Sequence, residues 1–365
     1  TYQVLVDCYE QVPYTEAMNT AYPSPKYDDG LTVYQGVIAE IDDALAKASE
    51  SDLVCSNFLF PSAGAQEWVR FANALKLKMY MRISGVADVQ SAVDALVAEG
   101  NFPTSDVAWM GCWTDEGGKA NPYFSEEFGS YTSVQKNVSL NLALQGTMSS
   151  YNDARLAAFF DPSSNGNYTG AISGTNFSVS ASDHGAGYWC RPAVRFNSPV
   201  YLITVSEVEF FLAEYYAKKD PSKAEAHYKA AVDASFASAG VTGADAVYGS
   251  GAAYAWDASA YKEVIGVQKW VALSGTNNFE AWCELRRLGY PAFSGQKGDD
   301  FYNVQSGDYD ATTYIPGTLY TPITVNAILG AGKVLQRFPF ADSSSSRNEN
   351  VPEYKGDGAP MFWVK

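Results

Sequence analysis

TVSEVEFFLAEYYAKKDPSKAEAHYKAAVDASFASAG, residues 204–240, is the stretch whose reading decides the fold. Its first half carries Val208, Phe211, Leu212 and Tyr215 at three- and four-residue spacings, one stripe of a 3.6-residue period. Lys218 and Lys219 close that run, where cations suit the negative end of a helix dipole. Asp220 is then placed to cap a second helix, and Pro221 sits where a missing N–H costs nothing. The second half sets Ala224, Tyr228, Ala231 and Ser235 on one face. The pattern predicts two helices joined by a tight turn, with rings on one entering gaps left by alanines on the other.

Working outward, residues 1–27 hold a short helix candidate and then Tyr22-Pro23-Ser24-Pro25, a connection that disfavours helix. Asp28, Asp29 and Gly30 open a helix over 31–48 with Tyr34, Val37, Ile38, Ile41 and Leu45 as its stripe. Residues 58–64 read as a loop. A helix over 66–84 places Trp68, Phe71, Ala72, Leu75 and Met79 on one face. Arg70, Lys76, Lys78 and Arg82 fall mostly off that face, solvated or paired with carboxylates. A shorter helix over 88–99 stops at Gly100. Downstream, 243–257 is a loop and 260–273 a helix. Residues 277–288 form a compact helix capped by Asn277 or Asn278, with Phe279, Trp282 and Leu285 as its stripe and Gly289 and Pro291 as its stop.

Trp-x-x-Phe-Ala-x-x-Leu at 68–75, like the alanine-facing rings of 204–240, has the order of a tetratricopeptide hairpin. An ordinary antiparallel helix pair gives the same spacing. Both predict a helical scaffold; only the first predicts a binding protein. The fold class expected is therefore all-α, with tetratricopeptide-like hairpins at about 28–100, 204–240 and 260–290. They pack against loop-rich regions at about 101–200, 243–257 and 292–365 that carry a few short strands. Within these, a helical patch is expected near 140–160, a strand at 319–324 and a Ser-rich turn at 343–346.

The 365 residues could hold one large domain or two smaller ones. With 47% hydrophobic and 14% aromatic residues a substantial core is available, and disorder is not expected. A formal net charge of −16 argues against nucleic acid or an anionic membrane surface as partner. Cys8, Cys55, Cys112, Cys190 and Cys283 lie far apart with no Cys-x-x-Cys, so zinc-ribbon and thioredoxin readings fail. Isolated thiols are expected, an oxidising compartment leaving room for one disulfide. His184 and His227 are too few for a His-rich metal centre. No run of about twenty apolar residues exists, so no segment reads as a membrane-spanning helix.

Gly-x-Ser-x-Gly, His-Glu-x-x-His and phosphate-loop motifs are all missing. No catalytic residue, metal ligand or cofactor is expected, and the chain does not read as an enzyme. Acid pairs such as Asp115-Glu116 and Glu126-Glu127 could form a glycosidase dyad only through spatial separation that spacing cannot supply. Calcium ligation by Asp299-Asp300 or Asp308 and Asp310 lacks the closing Glu of an EF-hand.

What stands out is aromatics in loops: Trp109, Trp113, Tyr123 and Phe124; Tyr188 and Trp189 with Arg191; Tyr248, Tyr254 and Trp256; Tyr302, Tyr309, Tyr314 and Tyr320. Sugar rings present flat C–H faces ringed by hydroxyls, so stacking rings near Asn, Asp or Arg are the expected receptor chemistry. Burying roughly 80 Å² across two ring faces contributes about 2 kcal/mol. A few hydrogen bonds at about 1 kcal/mol each then imply weak binding, roughly micromolar to millimolar. Anchoring a loop to the core is the competing role for each ring. The candidate glycan-binding residues are Trp113, Tyr123, Tyr188, Trp189, Tyr254 and Trp256.

Several ordered motifs over most of the chain resemble the SusD/RagB family of surface nutrient-binding lipoproteins from Bacteroidetes outer membranes. They are Val12-Pro13-Tyr14-Thr15-Glu16-Ala17 with Tyr27-Asp28, Phe71 to Leu77 with Met81-Arg82-Ile83-Ser84, Asn121-Pro122, and Asn152-Asp153-Ala154-Arg155. Ser206-Glu207-Val208 through Glu214, Gln268-Lys269-Trp270, Glu280-Ala281-Trp282 through Pro291, and Gln336-Arg337-Phe338-Pro339 with Asn348 and Asn350 follow. Ala154 departs from the commoner Asp-Pro-Arg, and the Glu that commonly follows the Arg-x-Pro element is missing after Pro339. The resemblance implies one SusD-like domain over 1–365 that lacks its N-terminal part. It implies a non-catalytic oligosaccharide- or polysaccharide-binding protein of polysaccharide utilisation. As partner it implies a SusC-like TonB-dependent transporter over which the protein closes as a lid. It further implies a cell-surface outer-membrane location through a lipid on an N-terminal Cys not present in this chain. A peptide-binding RagB-like receptor, a glycoside hydrolase and a ligand-free adaptor are the alternatives.

Overall fold

The computed structural model describes residues 1–48, 59–60, 64–129, 138–175, 188–303 and 305–364. Most of the expected 58–64 loop lies outside them. The fold is mostly helical with short strands, as expected. It divides into two compact units: Thr1–Ser56, Ser62–Pro103 and Val334–Lys365 in the first, Asn57–Pro61 and Thr104–Lys333 in the second.

The first unit contains α1 (Tyr2–Tyr9), α2 (Gly30–Lys47), α3 (Ala65–Ile83) and α4 (Gln90–Glu99). Asp29 caps α2 by accepting the Thr32 N–H at 3.0 Å. Val33, Tyr34 and Ile38 of α2 pack against Val6, Val12, Met79 and Ile83. α3 is rotated from its expected orientation. Trp68 is 36% exposed, and the buried set includes Asn73, Ala74, Leu77, Lys78, Met81 and Arg82. The physical reason is charge pairing. Arg82 Nη1 donates to Asp7 Oδ2 at 2.8 Å, and the Tyr34 hydroxyl donates to the other oxygen of Asp7 at 2.7 Å. A neutralised guanidinium can turn inward, so polarity alone misassigns the face. Lys76 pairs with Asp42, and Arg70 with Glu67.

Residues 335–364 complete this unit. Arg337 donates to Glu10 Oε2 at 2.5 Å and to the carbonyls of Ala359 and Pro360. Asn348 and Asn350 donate to the carbonyls of Pro25 and Ser24, each at 2.8 Å. Phe362 lies against Gly30 where any side chain would collide with it. A one-turn helix, Asp342–Ser345, stands where a Ser-rich turn was expected.

The second unit runs β1 (Val107–Trp109), α5 (Pro122–Glu127), α6 (Leu142–Ser150), α7 (Arg155–Phe159), β2 (Phe160–Asp161), β3 (Arg191–Pro192) and β4 (Val200–Ile203). It continues with α8 (Val205–Lys219), α9 (Pro221–Ser238), α10 (Asp245–Tyr248), α11 (Tyr261–Ser274) and α12 (Asn278–Leu288). β5 (Phe293–Lys297), β6 (Leu319–Thr321) and α13 (Ile323–Leu329) close it. Among the described residues, three two-stranded sheets pair β1 with β4 and β2 with β3 antiparallel, and β5 with β6 parallel.

The α8–α9 hairpin forms where the periodicity places it, but α8 meets the α9 core through Phe210 and Ala213 and not through the expected Val208, Phe211, Leu212 and Tyr215 stripe, because α8 is buried on several sides and Phe211 lies against Lys269. Thr204 caps α8 by accepting the Glu207 N–H at 3.1 Å, and Phe210, Ala213, Tyr228, Ala231, Val232 and Phe236 share one core. Asp220 does occupy the cap position of α9. Its carboxylate accepts the Ser222 hydroxyl at 2.5 Å instead of a backbone N–H. The expected 140–160 helix is two, because Asn152 has φ 55° and breaks it between α6 and α7. α5 was not expected. Asn121 caps it by accepting the Phe124 N–H at 3.1 Å, with Pro122 at its first position.

Candidate functional site

Many of the ordered motif residues are framework. Gln268 and Lys269 on α11, Glu284 and Arg287 on α12, and Glu214 on α8 are buried. Arg287 grips Glu214 with two parallel bonds, 3.0 and 2.6 Å, and reaches Glu284 at 2.6 Å. Lys269 donates to Glu284 at 2.8 Å and lies 3.2 Å from the centre of the Phe211 ring. Burial pushes the Glu214 carboxyl up, but the Arg287 guanidinium outweighs it and holds it at about 2. Burial brings Lys269 down to about 8 against the pull of Glu284. A second network joins Arg155 to Asp153 at 2.6 Å, Gln268 at 2.8 Å and Ser235 at 3.0 Å. These groups are buried and paired with one another, which suits a rigid scaffold.

The loop-rich part of this unit is built on two runs of chain, 107–128 and 188–201, that lie antiparallel. Trp109 pairs with Val200. Twelve positions on, the Asn121 N–H donates to the Phe196 carbonyl at 2.7 Å and its side-chain amide to the Ser198 carbonyl at 2.8 Å. Further along, Arg191 Nη2 donates to the Glu127 carbonyl at 3.0 Å and to its carboxylate at 3.1 Å. The same guanidinium sits 4.2 Å from the Phe128 ring centre. The next tie is Arg195, which meets both oxygens of Asp161 at 2.7 and 2.9 Å.

The six candidate residues separate along this frame. Tyr123, on α5, is half-buried and edge-on to Phe128 at 5.8 Å. Burial and the nearby Glu127 carboxylate push its phenol up, so it stays neutral near neutral pH. Tyr188 and Trp189 are edge-on at 4.7 Å, and both meet Tyr309, at 6.4 and 5.3 Å. Trp189 is 6% exposed, whereas Tyr188 is half-buried. Trp113 is half-buried. Its indole N–H is shielded from solvent and has no hydrogen-bond partner among the described residues. Tyr254 and Trp256 pack on the α8–α9 core, Trp256 against Tyr228 at 5.5 Å and Tyr254 against Tyr151 at 5.3 Å. The structure thus brings Tyr188 and Trp189 together, and puts Tyr254 and Trp256 on the hairpin.

Trp109 and Met110 are the most exposed large apolar residues of the 107–128 run, at 42% and 50%. Period-two alternation could not have flagged them, since a register shift between Val107 and Ala108 buries both before Trp109 is exposed. The fourth loop cluster anchors chain. The Tyr309 hydroxyl donates to the Gly170 carbonyl at 3.0 Å, the Tyr314 hydroxyl to the Thr318 carbonyl at 2.6 Å, and the Tyr320 hydroxyl accepts from Asn141 at 2.8 Å.

Among the described residues no group of three His, Cys, Asp or Glu is arranged to hold a metal. Asp300 and Asp310 cap turns, accepting the N–H of Lys297 at 2.8 Å and of Thr312 at 2.9 Å. Cys8, Cys112, Cys190 and Cys283 are free thiols. His227 is paired with Glu209 at 2.7 Å and stacked on Tyr216 at 4.8 Å. No described helix is long and apolar enough to cross a membrane.

Comparison with known proteins ties these observations together. Residues 1–306 match the SusD-like_2 family model, described as starch-binding associating with outer membrane. No curated protein matches the chain. Among solved structures, a SusD homolog from Bacteroides uniformis is 20% identical, with 99% of this chain and 78% of that one covered at a TM-score of 0.72. A chitin-binding SusD homolog from Flavobacterium johnsoniae is 22% identical, with coverage of 99% and 77% and a TM-score of 0.72. A SusD-like protein from Bacteroides thetaiotaomicron is 22% identical, with coverage of 99% and 78% and a TM-score of 0.70. Those identities speak for a shared fold, and the family model for kinship: the chain belongs to the SusD-like family, whose description associates it with the outer membrane.

Proposed function

We propose that this protein is a non-catalytic, surface-exposed glycan receptor that captures an oligosaccharide or polysaccharide and delivers it to a SusC-like TonB-dependent transporter. A lipid on an N-terminal cysteine holds it at the outer membrane. The single observation that carries the glycan reading is the set of accessible rings carried by the laced 107–128 and 188–201 runs. Trp109, Trp113, Tyr123 and Tyr188 are exposed or half-buried there, on backbone fixed by hydrogen bonds and ion pairs. Rigid rings offer stacking area at little ordering cost. Of the six candidate residues, Trp113, Tyr123 and Tyr188 fit ligand contact. Trp189 fits the support of Tyr188, and Tyr254 and Trp256 fit anchoring. Family membership supports the outer-membrane setting.

Titration calorimetry against a panel of dietary and host polysaccharides tests this. One or more should bind, and Trp113→Ala or Tyr188→Ala should each weaken that binding about tenfold, about 1.4 kcal/mol, with melting temperature little changed. Silence across the panel with peptides binding instead, or sustained release of new reducing ends, defeats the reading.

A further inference from the structure

We infer that the ligand of the 107–128 and 188–201 face is uncharged: a neutral glycan, not one bearing uronate, sulfate or phosphate groups. This rests on the glycan-receptor reading above. An anionic sugar needs a cation with charge and donors to spare, above all a guanidinium fork. Residues 101–200 contain five cations: Lys119, Lys136, Arg155, Arg191 and Arg195. Four of them are bound to carboxylates of the same stretch. Lys119 meets Glu116 at 2.6 Å, Arg191 meets Glu127 at 3.1 Å, and Arg195 meets Asp161 at 2.7 Å. Arg155 is fully buried against Asp153 at 2.6 Å. Lys136 lies outside the described residues.

The manner of pairing matters as much as the count. Arg195 gives both terminal nitrogens to the two oxygens of Asp161, the grip a ligand carboxylate or sulfate would need. Arg191 gives Nε to the Val138 carbonyl and Nη2 to Glu127, with Phe128 beneath it. Releasing Arg191 to an anion would take from the Glu127 carboxylate, which is only 10% exposed, the cation it is paired with. The stretch also holds eight acids, Asp106, Asp115, Glu116, Glu126, Glu127, Asp153, Asp161 and Asp183, so its field opposes an approaching anion. A neutral ring meets neither cost, since stacking and hydroxyl contacts require no free charge.

The test is calorimetry of the whole chain against matched neutral and anionic polymers: galactan with polygalacturonate, and dextran with dextran sulfate. Each is run at about 50 and about 500 mM salt. The expected result is binding confined to neutral members, with affinity changing less than about twofold between the two salts. Preferential binding of an anionic member, weakened about tenfold or more by salt, overturns the inference and leaves the glycan reading standing. Silence on both halves of the panel removes the glycan reading and this inference with it. A second measurement uses Asp161→Asn, which releases Arg195. It should raise retention on dextran sulfate about two- to fivefold over the parent. No gain would mean that pairing is not what excludes anions, and the argument fails.

Discussion

The same ion pair, an arginine gripping a carboxylate with two bonds, occurs in two parts of the second unit. Between α8 and α12 it is Arg287 with Glu214, side chains 7% and 4% exposed. On the loop face it is Arg195 with Asp161, 55% and 45% exposed. Geometry is nearly identical; surroundings are not. In the interior, both charges have left water and each depends on the other to offset that cost. At the surface, water screens both, and the pair serves to hold one run of chain against another. The family's motif residues lie largely in the first setting, and the proposed ligand face in the second. Burial, rather than partner chemistry, separates scaffold from proposed site.

Arg287→Ala should cost about 3–5 kcal/mol, because it leaves Glu214 and Glu284 buried beside too little positive charge. Urea denaturation reads it directly, and a loss near zero would mean that the interior is wetter than it looks. Acid should act on the same site. The Glu214 carboxyl lies near 2 in the folded chain against an ordinary 4.5. Its stabilisation is therefore complete above about pH 4.5 and is lost as pH falls toward 2, on the order of 3 kcal/mol. Stability measured across that window should fall more steeply in the parent than in Glu214→Gln. Smallest is Arg195→Ala, expected to change stability by about 0.5 kcal/mol or less. A larger loss would show that the surface pair carries fold stability after all.

Helix positions were legible because caps and periodicity are local. Asp29, Thr204 and Asn277 sit where the sequence places them. Orientation was less so: α3 buries Arg82 because Asp7, 75 positions earlier, neutralises it. The site was legible only as composition. Nothing near Asn121 foretells its bond to Ser198, 77 positions on, or that Trp189 turns inward against Tyr309. Tyrosine abundance was ambiguous for the same reason. A ring such as Tyr314 or Tyr320 fastens a distant loop through its hydroxyl, and no spacing rule separates it from a ring that meets solvent.

Arg337 and Glu10 are separated by 327 positions, and the whole second unit lies between them in the chain. Closing so long a loop adds little at equilibrium, about 0.6 kcal/mol for each doubling of length. Its effect is on order in time. As the chain emerges during synthesis or export, the core clusters of residues 104–333 have their members before residue 337 appears. Residues 1–103 do not, and the carboxylates of Glu10 and the carbonyls of Ser24 and Pro25 must wait. The second unit can be finished while the first is still open, and the last thirty residues act as the latch on the segment made first.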